Sequence, residues 1–201
     1  RFRKDLIMHV ADADVTAVNA AVQMNKLLQI ACGAVYTDEG DTLRFDISKR
    51  YDVLTEVIDE STHKVIVFVP FRSTLDMLRD KLVADGHSTE TISGGVPVNM
   101  RTEIFRNFQD TDNPRVLLIQ PQAAAHGVTL TAANTVVWWA PTASLETYAQ
   151  ANARIHRAGQ TNKCTVVQLE SSPVERKLYK MLDKRIDVHT SLVDMYRDIL
   201  D

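Results

Sequence analysis

Two cysteines, Cys32 and Cys164, are all that 201 residues contain, and they lie far apart in apolar surroundings. That excludes a disulfide framework and gives no zinc-ligand spacing. The six histidines show no metal-type pairing either. No apolar run approaches the length of a membrane span, and the opening "RFRKDLIMHV" has none of the layout of a signal peptide. A reducing cytoplasm with no membrane partner is the expectation. The first residue is Arg, which points to a piece of a longer polypeptide. Charge of one sign is also lacking: the net charge is −3, so a polyanion could be held only by a local patch. Most telling, no Gly-x-x-x-x-Gly-Lys-Ser/Thr loop occurs, so nothing here cradles a nucleotide's phosphates by that device.

What is present is an ordinary globular composition, 45% hydrophobic and 24% charged. "ADADVTAVNAAVQMNKLLQIACG" has helical spacing with acids at its start and a glycine stop. "AVYTDEGDTLRFDI" alternates around a turn, and "SKRYDVLTEVIDES" predicts a helix with Ser48 as its cap. Then the texture changes. The short apolar runs "KVIVFV", "TETI", "RVLLIQ", "TVVWWA" and "CTVVQL" alternate with the helical stretches "STLDMLRDKLVADG", "VNMRTEIFRNFQD" and "SLETYAQANARIHRAG". Such alternation predicts an α/β fold, a parallel sheet with helices on both faces. Residues 1–47 then form a helix and hairpin leading in, 48–170 the α/β lobe, and 171–201 a helical extension.

Ligands of such sheets bind where the strands' carboxyl ends meet their loops. "PFRST", "SGGVP" and "QPQAAAHGVTLTAAN" follow three of the runs. A second feature is the stripe made by Gln150, Arg154 and Arg157, at spacings of four and three. On one continuous helix these would fall within about 60° of each other. Leu145, Tyr148, Ala149 and Ile155 would pack on the other side. Most such stripes are solvated faces. Two arginines without a neighbouring acid also suit a phosphate, which the planar guanidinium can grip bidentately.

"QANARIHRAGQ" resembles the last signature motif of superfamily 2 helicases, Gln-x-x-Gly-Arg-x-x-Arg, in its Swi/Snf-like form. The matching residues are Gln150, Arg154, His156, Arg157, Gly159 and Gln160; Ala153 stands where many members have Gly. "HGVTLTAANTVVWW" is similar to the preceding motif through Gly127, Leu130, Thr131, Ala132 and Ala133. "KVIVFVPFRSTLDML", "ISGGVPVNMRTEIFRNFQ" and "LLQIACGAVY" resemble earlier parts of the same lobe, in order, from about Leu27 to Leu169. The resemblance implies a RecA-like lobe, the second of two in an ATP-driven translocase on duplex DNA. It implies that Arg154 and Arg157 are catalytic and touch ATP, with Gln150 and Gly127 beside them. It also implies that Arg72, Ser73, Thr74, Gly94, Gly95, Arg101, Gln122 and Ala123 meet the DNA backbone. ATP and Mg2+ would be held mainly by a first lobe of the same polypeptide. "WWAPTASLE" departs from the family's Trp-Asn-Pro element and points to a compact, phage-like or prophage-like branch.

Two other readings stay open: a lobe of an RNA helicase of the same superfamily, and a non-catalytic module that binds nucleic acid or a partner. Four smaller features have bland readings beside sharper ones. "IDESTH" sits on a helix end and not at a strand end, so it is not a magnesium box. Trp138 and Trp139 could stack on bases, but on one strand they face opposite sides and suit the core. His156 reads as a hydrogen-bonding residue within the lobe. "KLYKMLDKR" reads as a solvated helix face.

Overall fold

The computed structural model describes residues 17–36, 42–125 and 128–185. The described residues open with helix α1 (Ala17–Cys32), and β1 (Ala34–Tyr36) pairs antiparallel with β2 (Thr42–Arg44). This is the expected helix and hairpin; residues 1–16 and the hairpin turn at 37–41 lie outside the described residues. Helix α2 (Ser48–Glu60) follows. Ser48 is its first helical residue and not its cap. Its N–H donates to Asp46 Oδ1 at 2.9 Å, so the acid two residues earlier takes the first orphan donor.

Five strands then build one parallel sheet: β3 (Lys64–Phe68), β4 (Thr89–Ile92), β5 (Val116–Ile119), β6 (Ala133–Trp138) and β7 (Thr165–Gln168). Their spatial order is β4-β5-β3-β6-β7. The helices between them are α3 (Arg72–Ala84), α4 (Val98–Asp110) and α5 (Leu145–Asn152); α6 (Pro173–Asp183) closes the described fold, and a short 3-10 turn covers Pro121–Ala125. The central strands are aliphatic on both faces because both faces are covered. Val65, Val67 and Val69 pack with Tyr51, Leu54 and Ile58 of α2 and Leu75, Leu78 and Leu82 of α3. Ile66 and Phe68 point the other way, onto Phe105 and Phe108 of α4, Tyr148 of α5 and Leu178 and Tyr179 of α6. Two apolar layers result, one on each side of the sheet.

The adjacent tryptophans divide between these layers, and both are fully buried. Trp138 stacks near Phe68 and Tyr148, with ring centroids 4.7 and 4.8 Å away, and its indole N–H donates to Asn152 Oδ1 at 2.9 Å. Trp139 donates to the Cys32 carbonyl at 2.9 Å on the opposite side. Neither is available to stack on a base.

The charges of "KLYKMLDKR" form a solvated face as read, since Lys177, Lys180, Asp183, Lys184 and Arg185 are exposed, but helix α6 has a buried face as well. Ser172 accepts from Glu175 N–H at its start, and Leu178, Tyr179, Met181 and Leu182 are buried in the second layer. A charged latch fastens it. The Arg50 guanidinium donates to both oxygens of Glu175 at 2.7 and 2.8 Å, to Ser171, and to the Trp139 carbonyl at 2.7 Å. Glu175 is fully buried and Arg50 only 8% exposed. Residues 186–201 lie outside the described ones.

Candidate nucleotide-facing turn and nucleic-acid loops

Helix α5 starts on Ser144, whose hydroxyl accepts from Thr147 N–H at 3.1 Å. It ends at Asn152, two residues short of Arg154. The expected 16-residue helix therefore breaks, for a tertiary reason. Arg154 N–H tightens back onto the Ala151 carbonyl at 3.1 Å, and the Arg154 carbonyl accepts from Leu130 N–H at 3.2 Å. The chain then turns through Gly159, at φ +99°. Gln160 fixes the turn by donating to the carbonyls of Thr131, Ala133 and Ile155 at 3.3, 2.9 and 3.4 Å.

The polar stripe consequently does not exist as one helical face. Gln150, on α5, donates to Glu146 Oε1 at 2.9 Å, so the acid one turn earlier is its partner. Ala149 is exposed and not packed against the sheet, whereas Tyr148 and Ile155 are buried as expected. Arg157 is exposed, with one guanidinium nitrogen 3.3 Å from Thr129 Oγ1. Arg154, expected to be exposed, is only 6% so. Its Nε is buried without a hydrogen-bond partner, and no ion pair among the described residues includes it. Burial, and then the neighbouring Arg157 cation, lower its pKa from the ordinary arginine value. His156, read as an internal hydrogen-bonding residue, is exposed. Gly127 lies outside the described residues.

The place of this turn is also unexpected. It rests on Leu130–Ala133, where β6 begins, so the arginines sit at the amino edge of the sheet, although the start of α5 is at the carboxyl edge.

The other candidate residues gather at the carboxyl edge. Helix α3 starts directly after β3, and its cap position, Phe71, offers no side-chain hydrogen bond. The first intrahelical bond comes from Leu75 N–H, which leaves the amides of Arg72, Ser73 and Thr74 facing out of the helix start. The Ser73 and Thr74 side chains are themselves buried, Thr74 completely, with its hydroxyl unpartnered. The Arg72 side chain is 59% exposed, and its pairing with Asp76 at 3.9 Å is a weak surface contact. Arg72 lies against Gly95: a Cβ there would come within 2.8 Å of its guanidinium. Gly94 N–H donates to Gln120 Oε1 at 3.2 Å.

Two residues expected to meet DNA are engaged elsewhere. Arg101 donates through Nε to the Val96 carbonyl at 2.7 Å and through a terminal nitrogen to the Gly94 carbonyl at 2.9 Å, so it braces its own loop. Ala123 is buried in the 3-10 turn, and its N–H donates to the Gln120 carbonyl at 2.8 Å. Gln122 is exposed. Asp59 and Glu60 close α2 and are not at a strand end, and no group of three His, Cys, Asp or Glu side chains among the described residues is placed to hold a metal ion. No described helix is long and apolar enough to cross a membrane.

A five-stranded parallel sheet covered on both faces, carrying an arginine turn at one edge and helix-start loops at the other, defines a RecA-like lobe of the superfamily 2 type. The chain belongs to the family described as the helicase conserved C-terminal domain, which matches residues 49–159. It is 35% identical over 140 residues to transcription termination factor 2 of Drosophila melanogaster, covering 67% of this chain and 13% of that protein. It is 28% identical over 174 residues to the chromatin-remodeling ATPase INO80 of Arabidopsis thaliana, covering 84% of this chain and 11% of that protein. The chain thus spans about an eighth of the length of these relatives or less. Among solved structures, the C-terminal part of the Fun30 ATPase domain shares the fold, with a TM-score of 0.66 at 24% identity over 79% of this chain and 55% of that one. The expected phage-like branch finds no support, since these relatives belong to an insect and a plant.

Proposed function

We propose that this chain is the second motor lobe of an ATP-dependent translocase on duplex DNA. A first lobe of the same polypeptide holds ATP and Mg2+; Arg154 and Arg157 face that ATP, and the carboxyl-edge loops hold the DNA backbone. The observation that carries the reading is the buried, unpartnered Nε of Arg154 beside a second arginine. A buried donor without an acceptor is costly, and two neighbouring cations repel, so the pair favours an anion, which meets the exposed Arg157 first and Arg154 once its enclosed side chain turns outward. A triphosphate supplies that anion, and bound Mg2+ supplies further charge neutralisation on its oxygens. The arginines' part is to stabilise the charge that spreads over the transferring phosphoryl group, an effect worth about 10³–10⁵ in rate in well-studied nucleotidases. Gln150 reaches this site only by releasing Glu146.

At the other edge, the helix-start amides of Arg72, Ser73 and Thr74, together with the Arg72 guanidinium over Gly95, suit phosphate oxygens. They read no bases, which fits a motor that must pass every sequence. The test is ATP turnover by the full-length protein with saturating duplex DNA. Arg157→Ala should lower it by at least about a hundredfold, a discount on the range for arginine fingers, and leave DNA affinity intact. Normal turnover in that variant would remove the nucleotide role. Stimulation by RNA and not by duplex DNA would favour the RNA-helicase reading instead.

A further inference from the structure

The segment that seats the arginine turn is gripped from two sides. From the turn itself, Gln160 binds the Thr131 and Ala133 carbonyls. From helix α4, Gln109 binds the same segment with both ends of its amide. Its Nε2 donates to Thr131 Oγ1 at 3.0 Å, and its Oε1 accepts from Ala132 N–H at 3.1 Å. Helix α4 is fixed at that end by Lys64, whose ammonium donates to the Phe108 carbonyl at 2.7 Å and to the Thr111 carbonyl. The gripped segment then carries both arginines: Leu130 N–H holds the Arg154 carbonyl, and Thr129 Oγ1 accepts from Arg157.

We propose that Gln109 is a positioning residue for the arginine pair: it sets the seat at Thr131–Ala132, and through it the placement of Arg154 and Arg157 toward the nucleotide. The inference rests on the function proposed above. Gln109 touches neither arginine, and its effect runs through backbone placement. The opposite end of α4 carries Arg101, the brace of the glycine loop. One 13-residue helix, about 20 Å long, therefore touches the structures at both edges of the sheet.

The experiment uses the full-length protein in steady-state ATP turnover with saturating duplex DNA, with Arg157→Ala measured in parallel. Gln109→Leu keeps the bulk and removes both hydrogen bonds. It should lower kcat about tenfold, inside the ~100-fold that a 1 Å misplacement can cost. KM for ATP and affinity for DNA should stay within about twofold, since the seat and not the binding groups is changed. Gln109→Glu should restore kcat to within about threefold, because a carboxylate can accept from both Ala132 N–H and the Thr131 hydroxyl. A purely structural role would lower the melting temperature and the folded fraction while leaving kcat per folded molecule alone. If Gln109→Leu does not fold, Thr131→Val removes the hydroxyl side of the same contact and should show the same kcat loss. Normal kcat in the folded Leu variant, or a loss that Glu does not restore, overturns the inference. If Arg157→Ala is also without effect, it is the nucleotide reading that has failed.

Discussion

Arg154 should cost the fold stability. Its side chain is nearly enclosed, its Nε has no partner, and the nearest charge that shifts it is another cation. An unsatisfied buried donor costs about 1–3 kcal/mol. Methionine has a similar unbranched stem, so Arg154→Met keeps most of the packing and deletes both the orphan donor and the repulsion. The variant should therefore gain about 1–2 kcal/mol, the lower part of that range after some lost contact of the guanidinium plane. For a chain of this size that is a rise in melting temperature of about 2–8 °C. The assay is thermal unfolding followed by circular dichroism at low salt. Adding tripolyphosphate should narrow the gap between the two proteins, because the wild-type turn gains a ligand that the variant cannot hold. A fall in melting temperature beyond about 4 °C would refute the reasoning. It would mean that Nε is satisfied and that the arginine holds the turn together.

The latch on α6 should behave in the opposite way. Glu175→Ala strands the buried Arg50 cation and should cost about 3–5 kcal/mol; the double variant Arg50→Met, Glu175→Leu should recover most of that in denaturant melts, and a double variant as unstable as the single one would contradict the pairing. Gly95→Ala should change stability little, because the group it meets is the free end of Arg72; it should weaken duplex binding by the full-length protein in a salt titration, and unchanged binding would separate Arg72 from the DNA track. The Asp46 carboxyl is held below its ordinary pKa first by the Ser48 N–H and then by the Ser48 side chain. Its contribution to the start of α2 is present above the unfolded aspartate value and is lost as pH falls through the depressed folded one. Carbon-detected NMR titration should find its midpoint below that of an ordinary aspartate, and an unshifted midpoint would remove this contact.

The strands and most helix boundaries could be read from the sequence because each depends on local pattern. "KVIVF" and "VLLI" are continuous apolar runs that only a doubly covered strand accommodates, and "VNMRTEIFRNFQD" coincides with α4 from end to end. The failures have a common cause, a distant partner. "AQANARIHRAG" keeps helical spacing through Arg157, but the helix stops because Leu130 and Gln160 take the carbonyls of Arg154 and Ile155. Arg101 is expected at the DNA backbone, whereas the carbonyls of its own loop hold it. Arg50 and Glu175 are 125 residues apart, and no periodicity links them. Gln109 was missed for the same reason: an amide near a helix end carries no signal until its partner, 22 residues later, lies beside it.

The division of the two tryptophans between the layers provides the molecule with its own optical reporters. They are the only indoles in the chain. Trp138 emits from an aromatic nest, whereas Trp139 lies with a guanidinium 5.4 Å from its ring centroid, so their emission bands and quenching should differ. Replacing either one with phenylalanine leaves a single indole, and each single-tryptophan protein, excited to the red of tyrosine absorption, then reports on one side of the sheet. Coincident unfolding curves from the two would mean that both layers melt together. Separated curves would identify which side loosens first, without any attached dye.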